Sequence, residues 1–90
     1  MLRIDPSRQA LKFLDQVTPK HGRQIAAKLL QLRQDPHPND SKPLKGFDHP
    51  YLRATAGEYR IVYRVEGDTL FVGVIGKRND DEVYRQLRRL

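Results

Sequence analysis

Gly57-Glu58-Tyr59-Arg60-Ile61-Val62-Tyr63-Arg64 decides the fold. A glycine-led pair opens this stretch, apolar and charged residues follow in turn, and Gly67-Asp68 closes it. Such a run predicts a strand, and glycine-led pairs predict tight hairpin turns at both ends. Tyr51–Ala56 and Thr69–Gly76 then read as its partners in a three-stranded meander. The two-residue period puts Tyr59, Ile61, Tyr63 and Val65 on one face and Arg60, Val62 and Arg64 on the other. On the preceding strand Leu52, Ala54 and Ala56 are expected to point inward. Arg53 then joins Arg60 and Arg64 on an open face, and Arg78 leaves the end of the last strand beside them. Gly73, inside a strand, signals a bulge or a close backbone approach.

Leu2-Arg3-Ile4 reads as a short first strand. Asp5-Pro6 then starts a helix, with Asp as N-cap and Pro at the first position. Ala10, Phe13, Leu14 and Val17 share one side of that helix. Thr18-Pro19 ends it and begins a second helix running to about Asp35, with Ile25, Ala26, Leu29, Leu30 and Leu32 at helical spacing. Residues 35–50 hold four prolines and read as loop. Asn79 or Asp80 is placed to cap a terminal helix over Asp81–Arg89, which would carry Tyr84 back over the sheet. The expected order is β-α-α-β-β-β-α. It makes one α+β domain over residues 1–90: an antiparallel sheet, a helical hairpin on one face and a short C-terminal helix.

The formal net charge of +6 and a pI near 10.0 point to a polyanionic partner. Residues 1–41 carry seven Lys and Arg against four Asp and Glu, and residues 42–90 carry ten against seven, so each half nets +3. Positive charge must therefore be gathered by folding, not by a basic tail. The chain has no cysteine, which excludes disulfides, thiolate catalysis and thiolate metal sites. No metal or other cofactor is expected. The N-terminus lacks an apolar stretch after its first basic residue and predicts no secretion signal, and no window approaches a membrane span.

Taken together, Leu44-Lys45-Gly46, Tyr51-Leu52-Arg53, the Gly57–Tyr63 strand, Gly76-Lys77-Arg78 and Glu82-Val83-Tyr84 resemble the RelE/ParE superfamily of toxins from type II toxin–antitoxin pairs. The resemblance spans nearly the whole chain. It implies a cytoplasmic protein with no membrane contact. The implied partners are a cognate antitoxin, messenger RNA in the ribosomal A site with ribosomal RNA, and operator DNA only through the antitoxin. RelE-type members are ribosome-dependent ribonucleases, whereas ParE-type members poison DNA gyrase. By resemblance the catalytic roles fall on Arg60, Arg78 and Tyr84. Arg53, Tyr51, Lys45, Arg64 and Lys77 are the expected RNA- and phosphate-binding residues, with Tyr51 stacking on a base. Where RelE-type members carry lysines on the second sheet strand, this chain has Tyr51 and Arg53.

These residue types suit phosphate chemistry. Arginine offers a fixed fork of donors that matches phosphate oxygens and stays charged at every working pH. RNA supplies its own nucleophile, the 2′-OH, and Tyr84 is the candidate base. An ordinary phenol titrates near about 10, so a basic Tyr84 needs cations beside it, and Arg60 and Arg78 are the expected ones. The general acid stays open between Lys77, Lys45, ribosomal RNA and water. The plainer alternatives are that Arg60 and Arg64 pair with Glu58 or Glu66, and that Tyr84 simply packs.

Overall fold

A computed structural model describes residues 1–78 and 82–90. The described elements are β1 (Arg3–Pro6), α1 (Arg8–Gln16), α2 (Pro19–Gln34), β2 (Lys42–Pro43), β3 (Leu52–Ala56), β4 (Tyr59–Glu66), β5 (Thr69–Lys77) and α3 (Glu82–Arg88). The strands form one sheet in the order β1-β5-β4-β3-β2. The meander forms as expected. Gly57 and Gly67 take φ of 61° and 58° at the first central positions of its two hairpin turns, and among the described residues no non-glycine has positive φ. That arrangement suits the right-handed twist of paired strands.

Three features depart from the sequence expectation. The sheet is not wholly antiparallel, because β1 runs parallel to β5, with Asp5 opposite Phe71 and Pro6 opposite Val72. The same pairing extends the first strand through Asp5-Pro6, so the helix starts later. Its N-cap is Ser7, whose hydroxyl accepts from the Ala10 N–H at 3.2 Å. Pro6 is tolerated because β1 is an edge strand, where a missing N–H costs no ladder bond. Within the predicted loop, Lys42-Pro43 adds a two-residue strand to the β3 edge. The expected caps at Asn79 and Asp80 lie outside the described residues.

Past the end of β1, side chains finish the edge of β5. The Gln9 amide both donates to and accepts from the Ile75 backbone at 3.0 Å, and the Ser7 hydroxyl donates to the Gly73 carbonyl at 2.6 Å. Buried backbone groups need such partners.

The core has two layers, one on each face of the sheet. On the hairpin face Ala10, Ile25, Leu29 and Leu32 pack against Ala54, Ile61, Tyr63, Leu70, Val72 and Ile75. Ala26 and Leu30, expected in the α2 stripe, are exposed; burial follows the narrower 25-29-32 spacing. On the opposite face Val62, Val74 and Tyr51 are covered by Val83 and Leu87 of α3. That face is therefore half closed rather than open.

A bulge makes both layers possible. Val62 pairs with Val74 but Tyr63 pairs with Val72, leaving Gly73 as the extra residue. Beyond it the alternation flips, so Ile75 rejoins Leu70 and Val72 on the hairpin face while Val74 turns to α3. Gly73 and Gly76 then let the helix lie flat. A Cβ on Gly76 would meet Val83 Cγ2 at 2.5 Å, and one on Gly73 would meet Leu87 Cδ1 at 3.2 Å.

Tyr63 anchors the 35–43 segment, its buried hydroxyl donating to the Pro36 carbonyl at 2.6 Å. Burial, aided by the nearby charges of Asp40 and Asp35 and opposed by the Ser41 hydroxyl, pushes this phenol up to about 12. Asp40 binds Lys28 Nζ at 2.9 Å and accepts from the Thr55 N–H at 3.2 Å. Burial raises its carboxyl, but Lys28 and that N–H outweigh it and hold the group below the ordinary carboxylate value.

Two outcomes are expected. A phenol raised in the folded state makes the unfolded chain the first to lose its proton. Tyr63 should therefore leave stability unaffected below about pH 10 and remove it between about 10 and 12. Urea titrations across that range check this, and Tyr63→Phe should flatten the decline. Gly76→Val should cost about 1–3 kcal/mol through overpacking against Val83. Hydrogen exchange should show the loss of protection concentrated in α3.

Candidate functional site

The hairpin register brings the basic residues together. A two-residue turn sets Ala56 opposite Tyr59, which places Thr55 opposite Arg60 and Arg53 opposite Val62. Arg53 and Arg60 are thus diagonal neighbours on the α3 face, within reach of one another's long side chains. Tyr84 comes down on them from the first turn of α3. Its hydroxyl accepts from Arg53 Nη1 and from Arg60 Nη1, each at 2.7 Å. The Arg60 guanidinium also lies 5.8 Å from the centre of the Tyr84 ring. All three residues are half-buried.

The geometry has a chemical consequence. A neutral phenol oxygen has two lone pairs, and both are occupied here. Only the deprotonated oxygen has a third, which can accept a proton from an incoming hydroxyl. Two guanidinium groups put positive charge against that oxygen, and each spends one N–H on it. Each fork carries further N–H groups of the kind that hold phosphate.

Other expected site residues are distributed differently. Arg78 is exposed, and its backbone N–H donates to the Glu58 carbonyl at 3.0 Å. It is not among the donors to the Tyr84 hydroxyl within the described residues; Arg53 stands in the place expected for it. Lys45 and Lys77 are exposed. Arg64 is not on an open surface as expected. Its guanidinium sits 4.8 Å from the Phe71 ring centre and 5.5 Å from that of Tyr51, and only 15% of the side chain is exposed. The physical reason is cross-strand pairing, because Phe71 lies opposite Arg64 on the neighbouring strand. Arg64 Nε and Nη1 are buried without a hydrogen-bond partner, and the nearest carboxylate, Glu66, is 3.9 Å away. Tyr51 is likewise corrected: at 6% exposure, with Arg64 against its ring, it is core and not a platform for stacking a base.

Two contacts at this end escaped the sequence reading. Phe47 packs edge-on against Tyr51 with ring centres 6.1 Å apart, and Arg88 lies 5.6 Å from the centre of the Phe47 ring. Gly46, at φ 87°, turns the loop so that Phe47 comes back beneath α3. His21, at the start of α2, hydrogen-bonds the Tyr59 hydroxyl at 2.8 Å on the hairpin face, away from this cluster. Among the described residues no group of three or more His, Asp or Glu gathers as a metal site, and no helix is long and apolar enough to cross a membrane.

The fold and site thus define a small mixed-sheet protein that carries a phenol clasped by two arginines under a short terminal helix. The sequence model of the ParE toxin of type II toxin–antitoxin systems, parDE, matches residues 4–82, and the chain belongs to that toxin family within the RelE/ParE superfamily. Its fold is RelE-like. The isolated Escherichia coli RelE toxin is 25% identical, with 99% of this chain and 97% of that one covered at a TM-score of 0.70. The toxin of the intact E. coli RelBE toxin–antitoxin complex is 26% identical over 86% and 96%, at 0.69. The archaeal RelE–RelB complex from Pyrococcus horikoshii matches at 24% identity over 86% and 94%, at 0.73, a likeness of fold. No curated protein sequence matches the chain.

The clasp predicts a coupling. Tyr84→Phe leaves two cations facing each other without their shared acceptor, which should cost about 1 kcal/mol in urea denaturation. Adding Arg60→Gln should cost less than the single losses imply, because the two changes disrupt one interaction.

Proposed function

We propose that this toxin is a RelE-like endoribonuclease, independent of metal, that cuts messenger RNA on the ribosome and is silenced by a cognate antitoxin. One observation carries the reading: the Tyr84 hydroxyl is shared by Arg53 and Arg60 at 2.7 Å each. The two contacts that seat α3 also set two phosphate-binding cations beside that one hydroxyl. A proton acceptor beside a phosphate needs both.

In the proposed reaction Tyr84 oxygen takes the proton of the RNA 2′-OH. The 2′-oxygen attacks phosphorus, and the P–O5′ bond breaks as the O2′–P bond forms. The 5′-oxygen leaves with a proton from Lys77, Lys45, ribosomal RNA or water. The products are a 2′,3′-cyclic phosphate and a 5′-OH. Arg53 and Arg60 hold the non-bridging oxygens as charge builds on them. Arg78, two positions past Gly76 at the exit of β5, is proposed to bind the same phosphate from outside once substrate arrives. Arg53 cannot serve as the acid, because a guanidinium does not release its proton in this range.

The antitoxin partner is supported by the family and by neighbours solved as toxin–antitoxin complexes. A second reading, gyrase poisoning, is favoured by the family match itself, which is to the toxin of parDE. ParE-type members generally lack the nuclease residues, whereas this chain retains an arginine-clasped tyrosine.

Expression of the toxin with mapping of RNA 5′ ends against ribosome position separates the two. The nuclease reading expects new 5′ ends inside A-site codons and prompt translation arrest with intact DNA. DNA breaks preceding any fall in translation would favour gyrase instead. Arg60→Gln and Arg53→Gln should each lower cleavage about 10²–10³-fold, the usual cost of losing one donor to a developing charge.

A further inference from the structure

Beside the clasp, the loop after Leu44 and the end of α3 enclose a polar groove of about 280 Å³, lined by Phe47, Asp48, His49, Tyr51, Leu87 and Arg88. Its volume lies just below the roughly 300–1,000 Å³ of small-molecule pockets, room for one heterocycle and little more. We infer that this groove is a nucleobase subsite, which takes the base of a nucleotide flanking the cleaved bond between the Phe47 ring and the Arg88 guanidinium. The inference rests on the ribonuclease reading and adds to it where the strand runs and what fixes the cleavage position.

A ring, a guanidinium and their position on α3 point to a base. Phe47 is half-buried and is held in place by a near-perpendicular contact with Tyr51, at 84° between planes. Over its ring lies a guanidinium, at 5.6 Å. Aromatic rings and guanidinium planes both stack on bases, and Arg88, being exposed, can draw back to admit one. Position supplies the third argument. Arg88 follows Tyr84 by four residues on α3, just over one helical turn and about 6 Å along the axis, a step that one nucleotide can span. The row Arg60, Arg53, Arg88 then tracks a polyanion across the face and gives it a direction. Exposed Asp48 and His49 stand at the rim, an acceptor and a ring nitrogen for the edge of the base. Stacking area makes purines the better occupants.

Fluorescence anisotropy with a short single-stranded RNA tests this, using the full chain and a 2′-O-methyl group that blocks cleavage. An abasic nucleotide is placed on each side of the target bond in turn. At one of these positions the abasic change should weaken binding by wild-type protein about five- to a hundred-fold, the usual worth of one stacked base. Phe47→Ala should lose a similar factor and become indifferent to the abasic change, while Phe47→Trp should retain both affinity and sensitivity. If the abasic and Phe47→Ala losses multiply independently, or if Phe47→Ala binds like wild type, the subsite is overturned while RNA binding at the clasp stands. If Arg53→Gln and Arg60→Gln also leave RNA binding unchanged, the ribonuclease reading falls with it.

Discussion

The seating of α3 against the sheet is the constraint on which the site depends. A seven-residue helix has no stability of its own in water, so it persists through what it buries and binds. Val83 and Leu87 supply the burial, over Gly76 and Gly73. The Tyr84 hydroxyl supplies the polar contact, between two guanidinium groups that would otherwise repel. Helix docking and site assembly are therefore one event. Whatever lifts α3 dismantles the clasp, and whatever removes the clasp loosens α3.

The two faces of the sheet divide the work. The hairpin face is an apolar core in which tyrosine hydroxyls are satisfied by fixed partners, Tyr63 by Pro36 and Tyr59 by His21. The α3 face mixes cations with rings: Arg60 with Tyr84, Arg64 with Tyr51 and Phe71, Arg88 with Phe47. Such pairs tolerate partial burial of charge without an acidic partner for each. Arg53 and Arg60, which share a hydroxyl, keep further N–H groups of the kind that hold phosphate. Membership of the ParE toxin family and a RelE-like fold with this cluster come together in one chain, and the proposed ribonuclease reading rests on the chemistry of the α3 face.

The meander, the helical hairpin and the inward faces were legible because each rests on local rules: glycine-led turns, two-residue alternation and a Pro start to α2. The bulge at Gly73 was signalled by a glycine within an apolar strand. The parallel β1 was not, since nothing in Arg3–Pro6 states its partner or its direction. At the candidate site, Arg60 and Tyr84 were singled out by the family resemblance, and the fold brings them within hydrogen-bond distance. Arg53 was placed on the right face but not beside the phenol. The signal was present in the turn: once Gly57-Glu58 closes a two-residue hairpin, the register follows and Arg53 must lie diagonal to Arg60. Arg64 and Tyr51 were misjudged because alternation gives a face, not a depth, and the depth depends on Phe71 across the sheet and on α3 above it. Phe47 carries no periodic signal at all, lying in a loop whose path is set by Gly46.

The central claim is that the clasped phenol starts RNA self-cleavage, and the chemistry of the cut ends tests it most directly. Programmed ribosomes incubated with purified toxin should yield upstream fragments ending in a 2′,3′-cyclic phosphate. Tyr84→Phe, with α3 shown by hydrogen exchange to remain docked, should yield none. Cyclic ends appearing at the wild-type rate in that variant, or upstream fragments from the wild type ending in a free 3′-OH, would contradict the account.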